Sequence, residues 1–246
     1  LESDPGFLEK GLARVDKSLA KLASKNVEKG KMDQGAADAW VSETRGRISG
    51  TTDRKDVADC DLIVEAIVEN LEIKRDLFAT LDETVESPTA ILASNTSSIP
   101  ITQIAAATSR PGSVVGMHFF NPAQIMPLVE VIATVVSDPD QVNRAADFAS
   151  GVLGKTVVRA QDRAGFIVNK LLCPYIFEAI RMLEEGFATR EDIDAAMVSG
   201  AGYPMGPLTL ADLIGNDTML AVSEAFMQEY QDPRYAAPPL LRRMVE

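Results

Sequence analysis

Short apolar runs of strand length recur through the chain as far as residue 158, separated by stretches of helical spacing, and none follows Asp162. The runs lie at 61–67, 90–94, 114–120, 128–134 and 155–158, rich in valine, isoleucine and leucine. Between them, Ile73, Leu77, Leu81 and Val85 mark one face of a helix over 70–86. A short helix is expected from Pro100 and a longer one over 139–152. Strands that alternate with helices predict an α/β fold, a doubly wound parallel sheet of the Rossmann type. Beyond Asp162 only helical patterns remain, over 166–186, from Thr189, over 208–214 and over 217–230. The expected domains are therefore 1–161, built on the sheet, and 162–246, all helical.

The first helix is expected over 7–28, where Leu8, Leu12, Val15, Leu19 and Leu22 step along one face. Lys10, Arg14, Lys17, Lys21 and Lys25 step along another, which reads either as a solvated face or as a landing strip for a polyanionic small molecule. That local excess of basic side chains stands out because the whole chain carries a formal charge of -12. An acidic protein is a poor partner for nucleic acid or an anionic membrane, and no segment reads as a membrane span. Cys60 and Cys173 give neither a disulfide framework nor a metal-ligand spacing, so a reducing, cytoplasmic setting is expected and no metal is.

His118 is the only histidine, in Val114-Val115-Gly116-Met117-His118-Phe119-Phe120-Asn121-Pro122. A buried strand that ends at a sharp turn is where open α/β sheets present reactive groups, and imidazole titrates near neutrality. Glu130 lies inside the next apolar strand, where a carboxylate needs a partner, and His118 can be that partner. Asn95-Thr96-Ser97-Ser98 follows the strand at 90–94 and reads as turn formers and caps, on the side of the sheet expected for ligands. No glycine-rich phosphate turn is present. In Gly200-Ala201-Gly202-Tyr203-Pro204-Met205-Gly206 the third glycine comes one place late, among helices, so this segment reads as a tight turn.

Taken in order, Val64-Glu65-Ala66-Ile67-Val68-Glu69-Asn70, Ser94-Asn95-Thr96-Ser97-Ser98, His118-Phe119-Phe120-Asn121-Pro122, Leu128-Val129-Glu130-Val131, Gly165-Phe166-Ile167-Val168-Asn169 and Gly200 to Pro207 resemble the (S)-3-hydroxyacyl-CoA dehydrogenases. The resemblance spans essentially the whole chain. It implies an NAD-binding domain followed by a helical domain that forms a homodimer. It also implies NAD-dependent oxidation of a 3-hydroxyacyl-CoA to the 3-oxoacyl-CoA, or the reverse, in fatty-acid β-oxidation or short-chain acyl-CoA metabolism. By resemblance His118 is the catalytic histidine, Glu130 its carboxylate partner, and Ser97 and Asn169 the polar groups around the substrate oxygen. Glu2, Glu69, Lys74, Ser97 and Asn121 fall on cofactor-contacting positions. Ser18 and Lys25, with Ser97 and Asn169, fall on positions that contact the acyl-CoA substrate. Glu2 corresponds to an acidic residue that binds the adenosine ribose, which suits NAD rather than a 2′-phosphate.

Against the family, the first strand, its glycine-rich turn and the basic C-terminal tail are missing, so the chain reads as truncated at both ends. The 246-residue piece alone is then expected not to be a competent dehydrogenase. Other readings of the same residues are an acyl-CoA hydrolase using Ser97, His118 and Glu130, a catalytically silent binding relative, and a sugar-acid dehydrogenase. No Gly-x-Ser-x-Gly elbow surrounds Ser97, which argues against the hydrolase.

Overall fold

The computed structural model describes residues 1–246, which divide into two compact units. One consists of Leu1–Cys60 with Glu83–Pro88, the other of Asp61–Asp82 with Thr89–Glu246. In the first, α1 (Pro5–Glu28) begins at Asp4, whose carboxylate accepts the Gly6 and Phe7 amides. That cap and Pro5 at the first helical position fix where the helix starts. A second helix, α2 (Gln34–Gly46), begins at Asp33 and was not apparent from the sequence pattern. The two helices pack together through Leu19, Ala23 and Ala37, and Arg45 reaches Asp16 at 2.6 Å. The basic stripe from Lys10 to Lys25 is exposed along its length.

The second unit holds a five-stranded sheet in the order β1-β2-β3-β4-β5: Leu62–Glu65, Ile91–Ser94, Val114–Phe119, Leu128–Ala133 and Thr156–Gln161. The expected doubly wound sheet is present and dominated by parallel pairs, with α3 (Leu71–Thr84) after β1, α4 (Ile101–Ala105) after β2 and α5 (Pro139–Asp147) after β4. One pair departs from the all-parallel expectation: β3 and β4 are antiparallel. The reason is chain length, because residues 120–127 are too few for a crossover helix and can only turn back. This departure sets the site, since the antiparallel register places His118 opposite Glu130.

Alternation along β3 and β4 sends Val115, Met117, Val129 and Val131 to one face, where Val142, Ala145, Ala146 and Ala149 cover them. Each such branched side chain contributes roughly 1.5–3 kcal/mol when fully buried. His118, Glu130, Gly116 and Ile132 occupy the opposite face. Gly116 is needed there, because a Cβ would come within 2.8 Å of Ile132 and 3.0 Å of Ile101.

The core face of α3 differs from its sequence reading. Ile73 is exposed and Leu77 half-buried, and the buried positions are Lys74, Phe78 and Leu81. A lysine counts as polar in any periodicity argument, yet Lys74 turns inward because two carboxylates await it. After β5 the chain is helical: α6 (Val168–Glu184), α7 (Arg190–Ala201), α8 (Pro207–Ile214), α9 (Asn216–Tyr230) and α10 (Pro239–Val245). Their shared core includes Ile176, Phe177, Ile180, Met219, Phe226 and Leu241. Thr189 caps α7 by accepting the Asp192 amide, as its sequence suggests, and Gly202 closes it with φ 73°. No helix is long and apolar enough to cross a membrane.

Candidate active site

His118, 4% exposed, is the penultimate residue of β3, and β4 carries Glu130 at 0%. Their facing Cα positions bring His118 Nδ1 to 2.7 Å from Glu130 Oε2. On the other side of the ring, Nε2 lies 3.1 Å from Ser97 Oγ. Glu130 Oε1 accepts two backbone amides, Ile167 and Val168, each at 3.0 Å, where α6 begins. With Glu130 ionised, Oε2 can only accept, and a neutral His118 beside it carries its proton on Nδ1 and turns the Nε2 lone pair toward Ser97. Phe120 and Phe166 pack tilted against the imidazole, at ring-centroid distances of 4.6 and 5.5 Å.

Ser97 owes its place to the turn after β2. Asn95 Oδ1 accepts the Phe119 amide at 2.8 Å, pinning that turn to the end of β3. Glu69 Oε1 accepts the Ser97 and Ser98 amides at 3.0 Å, the Ser98 hydroxyl at 3.0 Å and the Thr96 hydroxyl at 2.5 Å. Burial alone would raise the Glu69 carboxyl. The Thr96 hydroxyl, the Lys74 ammonium and the Ser98 and Ser97 amides together hold it below its ordinary value instead.

Behind Glu69 lies a charged group enclosed by protein. Lys74 Nζ is 2.6 Å from Glu65 Oε1 and 3.3 Å from Glu69 Oε2. Glu65 also accepts the Ile67 amide and the Ser94 hydroxyl, both at 2.6 Å. The strand expected to reach residue 67 stops at Glu65, whose side chain takes the Ile67 amide away from the ladder.

Of the residues expected from sequence, Ser97, His118 and Glu130 form one hydrogen-bonded line. Asn169 is half-buried in the first turn of α6, directly after the Val168 amide that Glu130 holds. Asn121 is exposed just beyond β3, joined to Pro122 by a cis peptide bond. Glu69 reaches Ser97, whereas Lys74 is 1% exposed and its ammonium is taken up by the two carboxylates. Glu2, Ser18 and Lys25 belong to the other compact unit. Glu2 and Lys25 are exposed there and Ser18 is half-buried. Sequence reasoning gave no role to Glu65 or Phe166 and read Asn95 as a turn former. A carboxylate in an apolar strand was the available signal for Glu65, as it was for Glu130.

The Ser97-His118-Glu130 line has the connectivity of a hydrolytic triad as well as that of a proton relay. A nucleophilic Ser97 would need amide donors for an oxyanion, yet its own amide and that of Ser98 are both occupied by Glu69. The arrangement suits transfer of a proton at a substrate oxygen.

Comparison with known proteins points the same way. Residues 1–163 match the family described as 3-hydroxyacyl-CoA dehydrogenase, NAD binding domain, and residues 165–246 match its C-terminal domain. The chain is 47% identical over 245 residues to a 3-hydroxybutyryl-CoA dehydrogenase of Mycobacterium tuberculosis, covering 100% of this chain and 83% of that protein. It is 44% identical over 241 residues to the human mitochondrial hydroxyacyl-coenzyme A dehydrogenase, covering 97% and 75%. The crystal structure of (S)-3-hydroxybutyryl-CoA dehydrogenase PaaH1 from Ralstonia eutropha superposes with a TM-score of 0.87 at 40% identity, over 100% of this chain and 83% of that one.

Proposed function

The chain belongs to the 3-hydroxyacyl-CoA dehydrogenase family, and we propose that His118, Glu130, Ser97 and Asn169 carry out its reaction. That reaction is the NAD-dependent interconversion of an (S)-3-hydroxyacyl-CoA and its 3-oxoacyl-CoA. The observation that carries the residue roles is the placing of the His118 ring, with Nδ1 2.7 Å from Glu130 Oε2 and Nε2 3.1 Å from Ser97 Oγ.

The carboxyl ends of β1, β2 and β3 suit a nicotinamide cofactor. Ile67 and Val68, 40% and 63% exposed after β1, offer an apolar surface next to the half-exposed Glu69, and Asn121 is exposed after β3. In this reading Glu69, Ser97 and Asn121 hold the nicotinamide end. Lys74 acts through Glu69 rather than by touching the ligand. NAD, when bound, supplies the hydride acceptor for the carbon bearing the hydroxyl group. His118 Nε2 takes the hydroxyl proton during oxidation and returns it during reduction. Glu130 stabilises the imidazolium formed between those steps. The Ser97 hydroxyl and the Asn169 amide donate to the substrate oxygen. The functional division then falls at residues 161 and 162, with the cofactor assigned to the first part.

The helical part exposes Phe187, Leu171 and Leu213 at 69–75%, which supports assembly as a homodimer through that part. Both cysteines are free, which supports the cytoplasmic setting.

The test is His118→Ala in the protein restored to the length of its 3-hydroxybutyryl-CoA dehydrogenase relatives, of which this chain covers 83%, assayed by NADH oxidation with acetoacetyl-CoA; the other turnover measurements use the same restored protein. Turnover should fall by about 10²–10⁴-fold, with substrate binding retained. Near-normal turnover would remove His118 from the reaction, and thioester cleavage without cofactor would restore the hydrolase.

A further inference from the structure

Only two residues other than glycine have positive φ in this chain, Phe166 and Gln231, and Gln231 is a helix C-cap. Phe166, at φ 45°, is 4% exposed and follows Gly165 at φ 76°. Gly165 is required by space as well as by angle, since a Cβ there would lie 2.1 Å from the Phe226 ring. At 166 no such pressure favours a bulky residue. Glycine would adopt the angle freely, whereas an aromatic side chain seldom does. A buried residue held in this region is over-determined by its surroundings, and two features show by what. The turn delivers the next two amides, Ile167 and Val168, to Glu130 Oε1 at 3.0 Å each. Its ring stands 5.5 Å from the His118 imidazole, tilted by 58°. Ile167 is 41% exposed, so its amide rather than its side chain reaches the site.

We propose that Phe166 is a positioning residue for the His118-Glu130 pair: its left-handed backbone aims two amides at Glu130, and its ring fixes the plane of the imidazole those amides orient. The proposal rests on the reading of His118 and Glu130 as the proton-transfer pair. The same turn starts the helix that carries Asn169, so one rigid corner sets both the carboxylate behind the base and a donor to the substrate. Few other charges face the pair. Glu69, with Lys74 and Glu65, lies beyond Ser97, and Asp162 is spent on the Ile101 and Thr102 amides. The Lys170 ammonium sits over the Tyr230 ring at 4.3 Å.

Because His118 is the sole histidine, one set of imidazole nitrogen signals in the labelled protein reports its tautomer without assignment. The parent should show one neutral tautomer, with the proton on Nδ1. Phe166→Leu should give a mixture of tautomers and lower kcat about 10- to 100-fold, with KM for acetoacetyl-CoA nearly unchanged. Phe166→Tyr, which keeps the ring, should restore both. A side chain that merely fills space would lower the Tm of the Leu variant and leave its imidazole signals and kcat unchanged, which overturns the proposal. If the Leu variant does not fold, the parent still decides. The Ile167 and Val168 amide signals should move in step with the imidazole as pH is lowered, and flat amides would also overturn it. A fully active His118→Ala variant would sink the proton-transfer reading yet leave these couplings intact, so the two failures can be told apart.

Discussion

Glu130 uses its two oxygens for opposite tasks: Oε1 receives the Ile167 and Val168 amides, and Oε2 stands 2.7 Å from His118 Nδ1. A glutamine at this position cannot do both without consequence. The two amides require an acceptor, so the carboxamide oxygen must stay with them and its NH₂ must face the imidazole. Nδ1 then has to accept, the proton moves to Nε2, and the base can no longer take a proton from substrate. Glu130→Gln should therefore fold and yet lose about 10²–10⁴-fold in kcat, measured with NADH and acetoacetyl-CoA. Turnover within a few-fold of the parent would show that Glu130 does not set the tautomer.

Lys74 and Glu65 form an ion pair at 2.6 Å with side chains 1% and 0% exposed. Removing one partner strands a buried charge, which typically costs about 3–5 kcal/mol. Lys74→Met should lose that much in urea unfolding, and Glu65→Gln added to it should recover a large part by removing the stranded charge. A loss under about 1 kcal/mol in the single variant would mean that water reaches Glu65. The pair is expected to specify the turn at 95–98 more than to stabilise the fold, since such pairs are seldom better than apolar packing.

Glu69 gives this turn a pH dependence of definite sign. Its carboxyl is held below the ordinary 4.5, because its hydrogen bonds and Lys74 outweigh burial. A lowered folded value means that its contribution is complete above pH 4.5 and is lost as pH falls through that lower value. Asp82, bound by Ser109 and Arg110, and Asp194, bound by Thr209 and Leu208, are lowered from 3.8 and act in the same direction. The Ser97 and Ser98 amide signals should thus titrate with a midpoint below pH 4.5. A midpoint at or above 4.5 would show that Glu69 does not hold the turn.

The strands, the switch to helices after residue 161 and the pairing of His118 with Glu130 were legible in the sequence because each leaves a local mark. An apolar run shows a strand, and a lone ionisable residue within it calls for a partner, whereas Ser97 stood out only through the resemblance to the family. The antiparallel return at 120–127 was legible in principle from the shortness of that segment. Lys74 was not, because its inward turn depends on Glu65 and Glu69, which only the folded chain brings beside it. The helix at Gln34–Gly46 was missed for lack of a strong apolar face, with Ala37 its one fully buried residue. Phe166 was quoted as part of a motif without a reason, since φ cannot be read from residue type.

The exposed stripe on α1 is either a solvated face or a contact for a polyanion, and one charge reversal separates the two. Residues 1–31 carry seven basic and five acidic side chains in a chain of -12, so the stripe is a local exception to the charge of the molecule. Lys25, in the last turn of α1, is exposed, and its proposed contact is with coenzyme A, whose phosphates are the polyanion in question. Such a contact is made equally in ground and transition states, so its loss should raise KM and spare kcat. For one exposed charge reversed, an interaction of about 1–2 kcal/mol corresponds to a rise of roughly 5- to 30-fold at low salt. Screening should shrink the effect as ionic strength passes about 0.1 M, where the Debye length is near 10 Å. Lys25→Glu is the variant to measure, with Lys10→Glu on the same stripe as the control for net charge. An equal rise in both would assign the effect to the overall field, and no rise in either at low salt would return the stripe to solvent.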